Sequence, residues 1–248
     1  MLTHPMKKPK LKARHWLLLA ITALVIAYPA SLVWIHTSNA RHERVWDNLR
    51  AHARMHGIPT RPTPDQLDLI HFYDQSQPYT LSYGGTNHMQ GFKNAAGEIV
   101  IAPTYFSLDK HFHEGLVSAV LADKTQGFIR PDESVAFITD FDYVEPFVNG
   151  MAMVRRKSDP NEPFPPLRHG FIDQTGTVVV ETKYDAAKDY VGDYTMVRER
   201  TIYSPIYDNL MDGLDIDVGL QWLLPNRLRF LDKEGNRVSP STVKRSLR

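Results

Sequence analysis

Gly170-Phe171-Ile172-Asp173-Gln174-Thr175-Gly176-Thr177-Val178-Val179-Val180-Glu181 is the stretch whose reading decides the fold. Gly170 to Asp173 is short and β-prone. Gln174-Thr175-Gly176 is turn chemistry, with Gly where a positive φ is wanted. Thr177 to Glu181 is a β-branched run. Together they spell a hairpin. The same hairpin is written twice more: GFKNAAGEIVIAP from Gly91, with Gly97 at the turn, and GFIRPDESVAFIT from Gly127, with Glu133 where the others have Gly. Fourteen residues after each opening glycine stands an aromatic: Tyr105, Phe141 and Tyr184. A second glycine, Gly115, Gly150 or Gly192, then precedes another strand-like run. The opening glycines are 36 and 43 residues apart and the second set 35 and 42 apart, so one insertion after Lys157 explains both long intervals.

A period of this size marks a repeat array, in which each unit covers its neighbour's apolar face. Each unit reads as three short antiparallel strands, too small to bury a core alone. The ends are worn. Arg229 to Gly235 is a partial copy with Arg for the opening Gly, and Tyr79 to Gly85 is a leading half copy. The expected fold is mainly β, an open solenoid or propeller-like arc, preceded by a transmembrane helix and short helices.

The pattern G-F-I-D-x-x-G-x-V-V, an apolar stretch ending in Tyr-Asp, then Gly and a valine-rich strand, resembles the WG-repeat family over roughly Tyr79 to Pro240. The chain departs from that family at its signature tryptophan, whose positions hold Gln90, Gln126 and His169. The resemblance implies an all-β repeat scaffold, found mostly in bacterial proteins and usually without catalysis.

Charge is unevenly placed along the 248 residues. Net charge is +1, but Lys7, Lys8, Lys10, Lys12 and Arg14 precede the first acid, Glu43, leaving a mildly acidic body. Such a body argues against nucleic-acid binding. There is no cysteine, so disulfide scaffolds and Cys-based zinc sites are excluded. Trp16 to Ile35 is twenty residues without a charge, flanked by Trp16 and Trp34. It is long enough to cross a bilayer, and the basic tail before it predicts a cytoplasmic N-terminus. The expected order is a basic tail at 1–15, a membrane helix at 16–36, a helical stalk or linker at 37–78 and the repeat domain at 79–248. A cleavable signal peptide is the competing reading; Ser38-Asn39-Ala40 is a passable site, but the apolar run is long for one.

After the span, Asn39 to His56 reads as a helix with Val45, Leu49 and Ala53 at spacing four, stopped by Gly57 and Pro59. Thr63-Pro64-Asp65-Gln66 predicts a second short helix through about Tyr73. Two insertions interrupt the array, at 158–168 and 201–226. The second is rich in Tyr203, Tyr207 and Trp222, with Asp208, Asp212, Asp215 and Asp217. It reads as an edge cap, a partner contact, or both, with Tyr203, Tyr207, Asp212 and Asp215 as partner-binding residues.

Chemical motifs are sparse. His111 and His113 flank Phe112 but lack an evident third ligand, and read as a solvated pair rather than a metal site. Asp208 to Asp217 lacks the alternating oxygen ligands of a calcium loop. Arg155-Arg156-Lys157 reads as a solvated edge. No nucleophile–base constellation or phosphate loop is present, so no enzyme, cofactor or metal is expected. The functional expectation is a bitopic inner-membrane protein of a Gram-negative bacterium. Its repeat domain would stand in the periplasm and bind a protein, either envelope machinery or a toxin that it neutralises. A carbohydrate- or peptidoglycan-binding module is the alternative, with Tyr203, Tyr207 and Trp222 as its platform.

Overall fold

The computed structural model describes the backbone of residues 13–80, 86–158, 166–199 and 227–248, with side chains from residue 32 onward. The insertion residues Tyr203, Tyr207, Asp208, Asp212, Asp215, Asp217 and Trp222 lie outside the described residues, as do Gly84 and Gly85.

Four antiparallel sheets follow one another along the chain. The first holds β1 (Leu69–Thr80), β2 (Thr86–Asn94) and β3 (Ile99–Tyr105). The second holds β4 (Ser107–Leu108), β5 (Val117–Val120), β6 (Gln126–Ile129) and β7 (Val135–Thr139). The third holds β8 (Tyr143–Val148), β9 (Met151–Lys157), β10 (Leu167–Asp173) and β11 (Val178–Tyr184). The fourth holds β12 (Ala186–Ala187), β13 (Thr195–Glu199), β14 (Arg227–Leu231) and β15 (Arg237–Val238). Helix α1 (Ala13–Met55) precedes the array and α2 (Pro240–Arg245) follows it.

The hairpins are one motif built four times. The N–H of Asn94, Arg130, Asp173 and Asp232 donates to the carbonyl four residues on, at 2.9, 2.9, 3.0 and 3.0 Å. The turn residue has φ of 84° at Gly97, 68° at Glu133, 85° at Gly176 and 79° at Gly235. Glu133 therefore does occupy the glycine position. Its carboxylate accepts the Ala102 N–H of the preceding sheet at 3.3 Å. The last three turns lean back on the sheet before them. A Cβ at Gly176 would meet the Phe137 ring at 2.7 Å, and one at Gly235 would meet the Val179 carbonyl at 2.7 Å.

The sheets are out of phase with the sequence repeat, which corrects the three-strand unit. The strand after each second glycine pairs with the next unit's opening strand: β5 with β6, β9 with β10, β13 with β14. The crossover after each of the three aromatics adds a fourth strand at the next sheet's edge, so all sheets but the first have four. β1 takes the first place in the first sheet, so the array begins at Leu69 rather than at Tyr79. The second glycines are not all equivalent either. Gly115 and Gly150 follow Glu114 and Asn149, which have φ of 55° and 54° and hold the first turn position. Gly192 follows Val191, which already bridges Tyr194, and so holds the first position itself.

Period-two alternation then places the core. In each opening strand the Phe faces forward and the next residue faces back. Phe128 packs with the third sheet and Ile129 with the first; Phe171 packs with the fourth and Ile172 with the second. Aromatic pairs join consecutive units: Phe92 with Phe112 at 5.2 Å, Phe128 with Phe147 at 4.9 Å, Phe171 with Tyr190 at 4.9 Å. Among the described residues each core cluster joins neighbours only, and none joins the first sheet to the last. The stack is open.

Helix α1 takes the place of a fifth unit. Val45, Leu49 and Ala53, the residues at spacing four, are buried together with Trp46 against Phe230 and Val243. Trp46 stacks on Phe230 with ring centroids 6.2 Å apart, and His42 stacks on it at 5.4 Å. The Asn39 side-chain oxygen accepts the Leu228 N–H at 3.0 Å, and Lys188 pairs with Glu43 at 3.0 Å. Residues 39–55 are thus a packed cap and not a free stalk. Gly57 ends the helix with φ of 68°. Beyond it the chain runs back along the turns. The Pro59 carbonyl accepts from the Asn149 side chain at 2.8 Å, and the Asp65 carboxylate accepts the N–H groups of Glu114 and Gly115 at 3.0 and 2.7 Å. The helix expected from Thr63 to Tyr73 is absent for that reason. The Asp65 oxygens are spent on a distant turn, and Leu69 onward is claimed by pairing with β2.

Among the described residues no helix is long and apolar enough to cross a membrane. Trp16 to Ile35 lies within α1, largely in the part whose side chains are not described.

Candidate functional site

The described chain is interrupted at three places, and the strands on either side of each interruption pair at the same place in a sheet. Residues 81–85 join β1 to β2, where Thr80 pairs with Thr86. Residues 159–165 lie between β9 and β10, where Lys157 pairs with Leu167. Residues 200–226 join β13 to β14, where Glu199 pairs with Arg227. In the second sheet the equivalent connection is the short turn between Val120 and Gln126. Because the sheets are stacked copies, these connections lie at the same end of the strands in every sheet, along one side of the stack. Both insertions read from the sequence leave the scaffold there.

The rim beneath them is charged and rigidly tied. Arg155 pairs with Glu145 and lies 5.1 Å over the Tyr143 ring. Arg156 reaches Asp140 at 2.6 Å and covers Phe141 at 4.8 Å. β9 is therefore an interior strand with paired cations, not the solvated edge expected for Arg155 to Lys157. Arg168 pairs with Asp185, and Glu199 holds both Arg229 and Arg237, at 3.0 and 2.7 Å. Between the second and third sheets a groove of about 620 Å³ opens at this rim, with Ile138 and Val178 half exposed on its walls.

The polar residues at the tryptophan positions stitch this end together. Gln90 is 5% exposed; its oxygen accepts the Leu108 N–H at 2.9 Å and its amide donates to Phe106 at 3.4 Å. Gln126 donates to the Asp142 carbonyl at 2.7 Å. His169 lies 3.4 Å from the Tyr184 carbonyl. Each side chain thus grips the backbone at or just after the aromatic crossover, doing with a hydrogen bond what a packed ring does by area. Burial, the largest influence on His169 and on His71, holds both imidazoles below their ordinary pKa. His71 shares the Gln90 oxygen at 3.0 Å. Sequence reading had no functional use for these positions; the signal was a polar residue directly before each Gly-Phe.

His111 and His113 are not the solvated pair expected from the sequence. Their rings are 6.5 Å apart and nearly perpendicular, and His113 is buried rather than solvated. No group of three metal-ligating side chains occurs among the described residues.

The family model of the WG containing repeat matches residues 127–158 and 170–201. Each match starts at an opening Gly-Phe and runs to about the end of the next β9- or β13-type strand, so these two units are WG repeats. No curated protein and no solved structure matches the chain.

Proposed function

We propose that this chain is a membrane-anchored β-repeat scaffold that displays a protein-binding surface in the cell envelope. The observation that carries the reading is the shared origin of the insertions along one side of the stack. A rigid array that presents its variable loops together is how scaffolds create a contact surface. The insertion at 201–226 supplies Tyr203, Tyr207, Asp212 and Asp215, which offer contact area and negative charge to a basic partner. The reading of an anchor rests on the uncharged run from Trp16 to Ile35 and the basic tail before it, which favour an array outside the cytoplasm. For a Gram-negative host that compartment is the periplasm.

Two experiments test this. A C-terminal reporter that works only in the cytoplasm stays silent on this topology; activity there refutes it. Crosslinking capture from membranes with the full chain recovers a protein partner, and Tyr203→Ala with Tyr207→Ala weakens capture with little change in Tm. Unchanged capture removes the insertion from the interface, and retention on sacculi instead of a protein favours the carbohydrate reading.

A further inference from the structure

A cleft of about 770 Å³ separates α1 from α2. Arg41 and Arg44 stand on one wall and Lys244, Arg245 and Arg248 on the other, with no carboxylate side chain among the lining residues. Among the described residues none of the five is ion-paired. Of the two acids beside these arginines on α1, Glu43 is turned away to Lys188, and Asp47 is exposed and makes no ion pair with them. Both walls are fixed from behind. Val45 buries one side of α1 and Val243, 0% exposed, buries α2, so the cations are held outward by core packing. Five converging cations that are not ion-paired repel one another, and a bound polyanion relieves that cost.

The position of the cleft selects the anion. Arg41 and Arg44 follow Ile35 by six and nine residues on one continuous helix, about 9 and 14 Å along its axis. The headgroup layer is about 5–8 Å deep beyond the hydrocarbon, and arginine side chains reach several ångströms back toward it. Val33 and Trp34 are 63% and 55% exposed on the same helix, and Arg227 covers the Trp34 ring at 5.3 Å. Exposed aromatic and apolar groups followed by cations are the composition of a bilayer interface. We propose that this cleft binds the phosphate of an anionic phospholipid headgroup and seats the repeat array on the membrane. The proposal rests on the anchoring reading above.

The test uses the full chain in mixed micelles of equal phosphatidylglycerol and phosphatidylcholine, with native mass spectrometry counting retained lipid. Wild type retains phosphatidylglycerol preferentially. Lys244→Gln with Arg245→Gln lowers that preference about 25-fold, as about fivefold per removed cation implies. Arg41→Gln with Arg44→Gln, on the opposite wall, does the same. Lys244→Arg with Arg245→Lys keeps the charge and keeps the preference, which separates binding from folding. Equal retention of the two lipids by wild type, or full preference in either neutralised pair, overturns the proposal. Displacement of the lipid by inorganic pyrophosphate also overturns it, in favour of a soluble phosphate ligand. Alkaline carbonate extraction separates the two readings. Release from the membrane refutes the anchor, whereas retention without lipid preference refutes only the cleft.

Discussion

At one end of the stack Phe230 is fully buried beneath Trp46 and His42 of α1. At the other end the first sheet turns a bare face to solvent, with Ile70 49% and Ile99 61% exposed. The difference shows two ways to finish a repeat array. The last forward-facing phenylalanine needs an aromatic neighbour, and since no fifth unit follows, the N-terminal helix supplies one. The first backward-facing position needs no neighbour, because Lys93 stands where Ile129, Ile172 and Leu231 stand in the later units. Its ammonium lies 5.9 Å over the Phe72 ring and keeps that face polar.

Removing the covered phenylalanine should cost most. Phe230→Ala is expected to lower stability by about 3–5 kcal/mol in urea unfolding, whereas Ile99→Ala on the open face should stay within about 0.5 kcal/mol. Comparable losses would mean that the two ends are packed alike.

Next comes a pair of glycines with one turn geometry and two surroundings. At Gly97 a Cβ meets nothing within 4 Å, so Gly97→Ala carries the positive-φ cost alone, about 1 kcal/mol. At Gly176 the same atom strikes Phe137, and Gly176→Ala should cost about 2–4 kcal/mol. Differential thermal unfolding of the two variants reads the difference directly, and equal shifts would deny that the Gly176 turn leans on the sheet before it.

A smaller loss is expected from Asp65→Ala, which frees two exposed N–H groups at the first turn that water can satisfy. About 1 kcal/mol, with increased amide exchange at Glu114 and Gly115, is the predicted outcome. Unchanged exchange there would remove the strap.

The least effect is a slope with pH. Burial is the main influence holding His42 below 6.5, and it does the same for His71 and His169. The unfolded chain then binds protons that the folded one refuses, so stability is full above about 6.5 and falls as pH drops below it. His42→Leu should flatten part of the slope. A stability that rises on acidification from pH 7 to 5.5 would contradict the buried, neutral state of these rings.

The hairpins were legible because they are local. Gly positions, β-branched runs and spacing all act within twelve residues, and even Glu133 was found at the turn. Helix 39–56 was legible for the same reason. Pairing partners were not. The strand after each second glycine could join the hairpin before it or the one after, and only the direction of the crossover at Tyr105, Phe141 and Tyr184 decides. The docking of α1 depends on contacts such as Asn39 to Leu228, 189 residues apart, which no local pattern announces. Thr63-Pro64-Asp65-Gln66 shows the reverse error, a local helix signal overridden where Asp65 binds a turn 49 and 50 residues away and Leu69 onward pairs with β2. The insertions were visible as breaks in the period, but their common end follows from strand pairing, which the period does not contain.

The claim on which the rest depends is that the N-terminal helix closes the far end of the array. Zero-length carbodiimide crosslinking of the full chain, read by peptide mass spectrometry, tests it without mutation. Glu43 and Lys188 lie 3.0 Å apart across that junction, and Asp193 and Lys233 lie 3.3 Å apart within the fourth sheet's loops as an internal control. Both crosslinked peptides should appear in the same sample. Recovery of Asp193–Lys233 without Glu43–Lys188 would contradict the cap.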